Sequence, residues 1–487
     1  MASRETPPEL LERLLRSGDP VGALRAADAL LAKVPTSFVA RLARCRAELM
    51  MSRFVEAERD LEIALRLSPR DDLANLLRAD LDMRAGHDEA SITRLRPIAM
   101  GRGPHAAEAM FSLLDALYAS GRRTEMVEAM KTPGAWTKDD RAQLYAARAA
   151  ATADPESGIA RLTEVFRSRI APSLRRFAGF EAVGLLDKAG RYREAWDLAT
   201  ETHRTTGVPF DMDNHLIPVR DQLARVEKGV NWITPKAPKV DGVAIMVALP
   251  RSGTTLLEQM LDRHPAISGI GEYDGLGSVL EGLDATGAWP RMPQMIPADR
   301  YAAIQALYME GANRLRRPGA PWVFDKVLRT WRCLPEVAAV LPGAVCIQVD
   351  RDPRDLATSL YLSYFHERSV GWTGDLGAAY KVIELKAKLI PRAFDVLGIP
   401  HETVIYEDLV EDPGAHAERC LARMGLAMDE RVLAPEDNTR LTVTVSTQQV
   451  RKPINRSSIG RWRNYEWAFD AAWEKLSSEH HARRRSH

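Results

Sequence analysis

Two patterns of apolar positions divide this chain. From about Pro8 to Thr206 they recur at helical spacing in a background rich in Ala, Leu, Arg and Glu, with few β-branched runs. This half is predicted to be almost all helix. Further on, short apolar runs alternate with helical stretches: VAIMVALP at 243–250, AVCIQVD at 344–350 and ETVIYED at 402–408. Those runs read as strands of an α/β domain with a central parallel sheet, placed here over residues 241–470. Between the halves, residues 207–240 carry four prolines around one short helical segment and are expected to be the domain linker. Residues 471–487, with Arg483, Arg484 and Arg485, are expected to form a mobile tail.

The helical half repeats itself. Val21-Gly22-Ala23 and Pro35 line up with Val55-Glu56-Ala57 and Pro69, and Leu31 with Leu65, at an offset of 34 residues. That is the tetratricopeptide period, so residues 8–206 are expected to form tetratricopeptide-like helical repeats stacked as a solenoid. Alanine at the crossing point lets paired helices approach, and leucines seal each pair against the next. The pattern resumes at Gly86, Gly121 and Gly190, each glycine read as ending a first helix. It decays through 130–180, where Pro133, Trp136 and Asp154-Pro155 are read as irregular turns.

The chemistry concentrates in the second half. The run 243–250 leads into Arg251-Ser252-Gly253-Thr254-Thr255 and then the amphipathic LLEQML, which reads as strand, tight loop, helix. A glycine-bearing loop that opens a helix presents free N–H groups and the positive end of the helix dipole, which suits a phosphate. In the triphosphate-binding pattern G-x-x-x-x-G-K-[ST] the residue after the second glycine is lysine; here it is Thr254. A donor with a single 5′-phosphate therefore fits better than ATP. The strand ending at Asp350 leads into Arg351-Asp352-Pro353-Arg354-Asp355 and a helix with Ser359. Arg351 and Ser359 can converge on a second anion, which implies a ligand phosphorylated at two places.

PRSGTTLLEQML and VDRDPRDLATSL, in this order and about a hundred residues apart, resemble the 5′-phosphosulfate and 3′-phosphate loops of sulfotransferases that use 3′-phosphoadenosine 5′-phosphosulfate (PAPS). The resemblance covers about residues 241–465. Within that superfamily the chain is most similar to the tyrosylprotein sulfotransferases, and the helical half suggests the bacterial tetratricopeptide–sulfotransferase arrangement. The resemblance implies a cofactor site of Arg251, Ser252, Gly253, Thr254, Thr255, Arg351, Ser359, Tyr406 and Arg461. It implies Glu272 as catalytic base, Lys326 as the lysine that stabilises the transferring group, and Ser446 as a transition-state serine. The family carries an arginine one turn beyond the serine of the second helix; this chain has Ser363 there, with Arg354 or Arg461 as the candidate replacement.

Chemistry accounts for the same residue types independently. Sulfuryl transfer, like phosphoryl transfer, is mostly in-line positioning and charge stabilisation. The acceptor hydroxyl needs a base, the departing phosphate oxygen needs a cation, and no metal is required. The expected acceptor is a hydroxyl on a peptide or protein held by the repeats. A saccharide or small-molecule acceptor is the alternative, since the same base occurs where sugars are sulfated. A magnesium-dependent kinase is disfavoured by the missing loop lysine. A scaffold with a degenerate nucleotide domain is disfavoured by the intact Arg251, Glu272 and Lys326 set.

Composition narrows the setting. With 45% hydrophobic and 27% charged residues the chain is of globular type. Sixty-seven basic against sixty-six acidic residues argue against a nucleic-acid partner. Cys45, Cys333, Cys346 and Cys420 are too scattered for a zinc site or disulfide framework and read as reduced thiols of a cytoplasmic protein. No export signal, membrane span or metal ligand set is expected.

Overall fold

The computed structural model describes residues 5–484 except 52, 86, 208, 235, 366–367 and 439–453. The chain forms two compact units, one of residues 1–174 and one built mainly from residues 175–438 and the C-terminal segment.

All described elements of the first unit are helical, in antiparallel pairs that include Pro20–Lys33 with Phe38–Met50 and Arg141–Ala153 with Pro155–Arg167. Local sequence starts these helices. Asp19 caps Gly22 N–H ahead of a proline in the first turn, so Gly22 lies inside its helix and does not end one. Asp154 caps Glu156 and Ser157 in the same way, which makes Asp154-Pro155 a regular helix start. Small residues set the spacing: Ala23 and Ala57 are fully buried, and a Cβ added at Gly158 would lie 2.2 Å from Ala151 Cβ. Ion pairs join positions 33 or 34 residues apart, Glu12 with Arg46, Glu108 with Arg141 and Asp115 with Arg148.

The second unit is built on a parallel sheet. Its strands, among the described residues, are β1 (Val243–Val247), β2 (Ile267–Gly271), β3 (Trp322–Asp325), β4 (Val345–Asp350) and β5 (His401–Ile405). They lie in the order β2-β3-β1-β4-β5, all parallel. Side chains alternate between two cores: Val243, Ile245 and Val247 on one face, Ala244 and Met246 on the other. Burial on both faces explains why β1 is apolar without interruption. With β3 on one side of β1 and β4 on the other, the chain order switches at the central strand. In sheets of this kind the C-terminal strand ends at such a switch are where ligands bind.

Two expected boundaries differ from the structure. Residues 207–240 are not a free connection: the helix Met212–Val226 buries Leu216, Val219 and Val226 in the sheet unit's core. Further along, Ala237 and Val240 N–H donate to the carbonyls of Ala339 and Pro342 at 2.8 Å. The helices before them belong to the same unit, since Trp196 stacks on Tyr361 with centroids 4.5 Å apart and His203 Nε2 sits 2.8 Å from the Tyr361 carbonyl. Nor is the C-terminal segment a mobile tail. It forms the helix Ala471–Arg484, with Trp473, Leu476 and His480 buried and Arg484 paired with Asp408 and Glu411. The arginine run and polar texture hid an apolar face three or four residues apart.

Among the described residues, no helix is long and apolar enough to cross a membrane, and the four cysteines are buried and unbridged.

Candidate functional site

The first loop leaves β1 in an unusual conformation. Arg251 has φ 69°, the left-handed value among the described non-glycine residues, and Gly253 has φ 98°. Such a backbone turns successive N–H groups to one side, and the helix Thr254–Asp262 opens at once with no side-chain cap from Gly253. The glycine is required on steric grounds as well: a Cβ there would lie 2.3 Å from Tyr406 Cδ2. Ser252, Thr254 and Thr255 are all buried around this turn.

The second loop is knitted to the first. Beyond β4, Arg351 donates through Nη1 to the Arg251 carbonyl at 2.8 Å, and its guanidinium lies 4.8 Å from the centre of the Tyr406 ring. Arg251 Nε in turn donates to Ser359 Oγ at 3.1 Å on the helix Pro353–Tyr361. Burial, together with the charges of Arg351 and Arg461, pushes the Arg251 guanidinium down to about 10. Cations gathered this closely favour an anion between the loops. Three buried polar atoms here, Arg351 Nε, Arg354 Nε and, on the helix that follows, Thr358 Oγ1, have no hydrogen-bond partner among the described residues. Buried donors in that state suit a bound oxyanion. The donor set therefore fits a ligand with two anionic groups.

The candidate replacements for the arginine absent at Ser363 are otherwise engaged. Arg354 is buried against Trp462, 3.5 Å from its ring centre, and bonds Ser477, Asp352 and Glu474. It anchors the C-terminal helix and is not a spare anion ligand. Arg461 pairs with Asp187 at 2.6 Å while still contributing positive potential at Arg251. Ser363 itself donates to the Ser359 carbonyl at 2.6 Å.

Glu272 and Lys326 meet at the ends of neighbouring strands. Glu272 follows β2 and is 43% exposed; Lys326 follows β3 and is buried, and its Nζ donates to Glu272 Oε1 at 3.1 Å. The backbone fixes this pairing, since Lys326 N–H donates to the Gly271 carbonyl at 2.9 Å. A third charged group, Glu258 of the helix Thr254–Asp262, comes within 3.6 Å of the same ammonium. Asp325 beside it accepts from Tyr308 Oη at 2.8 Å and from Val327 N–H at 2.9 Å, and burial pushes its carboxyl up to about 7.

The structure thus brings Arg251, Ser252, Gly253, Thr254, Thr255, Arg351, Ser359 and Tyr406 together around two joined loops, with Arg461 facing them through charge. Glu272 and Lys326 form a pair on the same edge of the sheet. Ser446 lies outside the described residues. Sequence reasoning missed Glu258, because LLEQML reads as an amphipathic helix with Glu258 in solvent, whereas nearly every residue of that helix is buried. It also missed the carboxylates that seat the second loop. Asp352 caps the helix Pro353–Tyr361, and its own N–H donates to Glu407 Oε1 at 2.9 Å.

Residues 244–430 match the model of the Sulfotransferase family, which makes this stretch a sulfotransferase-family domain. An uncharacterized protein of Aquifex aeolicus is 24% identical over 317 residues, covering 60% of this chain and 40% of that one. Nodulation protein NoeE of Sinorhizobium fredii is 27% identical over 261 residues, 45% of this chain and 60% of that one. Protein-tyrosine sulfotransferase 2 of Gallus gallus is 23% identical over 273 residues, 50% of this chain and 69% of that one. The chain thus spans less than two thirds of the length of the first two of these relatives. Among solved structures, the sulfotransferase domain of the Synechococcus PCC 7002 olefin synthase aligns over 51% of this chain and 98% of that one, at 17% identity and a TM-score of 0.36.

Proposed function

We propose that this protein transfers a sulfuryl group from PAPS to a hydroxyl acceptor. The observation that carries this reading is the joining of two cationic loops at one sheet edge, with Arg351 bonded to the Arg251 carbonyl and Arg251 bonded to Ser359. A ligand phosphorylated on both sides of its ribose would occupy both loops at once. The turn 251–255 would take the 5′ end through its N–H groups and the Arg251 guanidinium, while Arg351 and Ser359 would take the 3′-phosphate. Tyr406, packed between Gly253 and Arg351, would hold both loops to one spacing.

When bound, PAPS supplies an activated sulfuryl group whose bond to the 5′-phosphate oxygen breaks as a bond to the acceptor oxygen forms. Glu272, with its exposed carboxylate, takes the acceptor's proton. Lys326 and Arg251 neutralise the charge that grows on the departing phosphate oxygen. Ser446 is assigned to the transition state by the family resemblance alone.

The acceptor we favour is a peptide or protein hydroxyl of tyrosine type, supported by similarity to the protein-tyrosine sulfotransferases of Gallus gallus and Danio rerio. The helical unit, read as tetratricopeptide-like repeats, would serve its recognition. A cytoplasmic setting agrees with four unbridged thiols. A saccharide or small-molecule acceptor is the second reading, favoured by the match to the nodulation protein.

Incubating the full chain with sulfur-labelled PAPS and a cell lysate, then locating the label by mass spectrometry, tests the reading. Label is expected on a hydroxyl, and Glu272→Gln should lower its rate of appearance by roughly 10²-fold while leaving bisphosphate binding nearly intact. Failure of the wild-type protein to transfer label to any component would refute the activity, and full turnover by Glu272→Gln would remove it as the base.

A further inference from the structure

Lys326 is held by two carboxylates where the proposed reaction employs one. Its side chain is 1% exposed, and an ammonium at that depth keeps its charge only beside a counter-charge. Glu272 supplies one at 3.1 Å, yet Glu272 is the group that must turn toward the acceptor hydroxyl and accept its proton. The proton neutralises Glu272 at the moment when Lys326 has to act as a cation. With no other partner, Lys326 would then be a buried charge alone.

We propose that Glu258 is a positioning residue that keeps Lys326 charged and in place while Glu272 does its work. This rests on the roles given above to Glu272 and Lys326. Glu258 is as deeply buried as the lysine, with Oε2 3.6 Å from Nζ, on a helix that begins in the Arg251–Gly253 turn. Its burial, against the 43% exposure of Glu272, keeps it out of proton exchange with the acceptor. It therefore ties the lysine on β3 to the phosphate-binding turn through the whole reaction. The other ionisable groups packed here do not compete for the ammonium. Asp325 on β3 is engaged by Tyr308 of the helix Ala298–Leu315 and by Val327 N–H. Asp274, beyond Glu272, is paired with Arg329 at 3.0 Å.

The bonds balance without any further reactant. The acceptor O–H proton goes to Glu272, the sulfur exchanges one oxygen partner for another, and Glu258 stays ionised throughout.

Glu258→Gln keeps the shape and removes the charge. In that variant Lys326 leans on Glu272 alone, which makes Glu272 harder to protonate. The acid limb of the kcat–pH profile should move to lower pH by about one unit. Turnover should fall about tenfold or more, with the Kd for 3′-phosphoadenosine 5′-phosphate changed less than about twofold. A merely structural role would lower activity at every pH and leave the limb where it is; that result, or unchanged turnover, overturns the proposal.

A second measurement does not depend on the Glu258 variant folding or on the reaction. In full-length Glu272→Ala, NMR of the 15N-labelled lysine side chains should show a resolved, slowly exchanging Lys326 Nζ signal, because Glu258 holds the group in place. Loss of that signal overturns the pairing even if the wild-type protein transfers sulfuryl groups. An absence of sulfuryl transfer by the wild-type protein fails the reaction itself, and is thereby told apart from failure of the pairing.

Discussion

Arg251 stores strain in its own backbone. A left-handed φ of 69° is unfavourable for a side chain of that size and persists only where the surroundings over-determine it. Here the carbonyl is held by Arg351 and the side chain by Ser359, so the strained turn is fixed from two sides. Glu336 shows the opposite use of burial. It sits wholly inside the sheet unit, accepting from Trp289 Nε1 at 2.9 Å, and burial pushes its carboxyl up to about 7. In the unfolded chain the same group ionises near its ordinary value of 4.5. The unfolded state therefore releases its proton first, and stability falls as pH rises from about 4.5 to about 7. Glu336→Gln should match the wild type near pH 5 and exceed it by about 2–3 kcal/mol near pH 8 in denaturant unfolding. An equal difference at both pH values would show that Glu336 does not titrate in the fold. Arg251 was legible in the sequence as part of a turn motif, and Glu272 and Lys326 were singled out by the family resemblance alone. Glu258 was not, since its burial depends on elements far away in the chain.

At the scale of elements, the C-terminal helix Ala471–Arg484 is a clamp on the second loop. Ser477 Oγ donates to Asp352 Oδ2 at 2.7 Å and accepts from Arg354 at 2.9 Å, and His481 Nε2 lies 3.1 Å from the same carboxylate. Trp473 seats the helix, edge-on to Tyr380 and Phe469 with centroids 5.2 and 5.3 Å away. Trp473→Ala should cost about 3–5 kcal/mol of stability. It should also weaken bisphosphate binding at temperatures where the protein stays folded, because Asp352 caps the helix that carries Ser359. Thermal unfolding and calorimetry check both, and unchanged binding would separate the clamp from the loop. The helix itself was not foreseen, its short apolar face lying among charges. The strands differ in the same way: β1, β4 and β5 were legible as apolar runs, while β2 (ISGIG) holds two glycines and β3 has four residues. Both are defined by pairing with neighbours more than by their own composition.

The whole chain divides into a helical unit and a sheet unit, and the sequence texture foresaw both while placing the join too late. By sequence the helix Tyr192–Thr206 continues the first half and Met212–Val226 falls in the expected linker, yet Trp196 of the one stacks on Tyr361 and Leu216, Val219 and Val226 of the other lie in the sheet unit's core. Periodicity says that a helix has a buried face and not which partner buries it. The proposed chemistry of the sheet unit rests on the pair of joined cationic loops. These loops are proposed to recognise a nucleotide phosphorylated at two positions. Calorimetry of the full chain without added magnesium tests it most directly. The expected result is tighter binding of 3′-phosphoadenosine 5′-phosphate than of ATP, weakened about tenfold or more by Arg251→Ala. Tighter binding of magnesium–ATP than of the bisphosphate would contradict it.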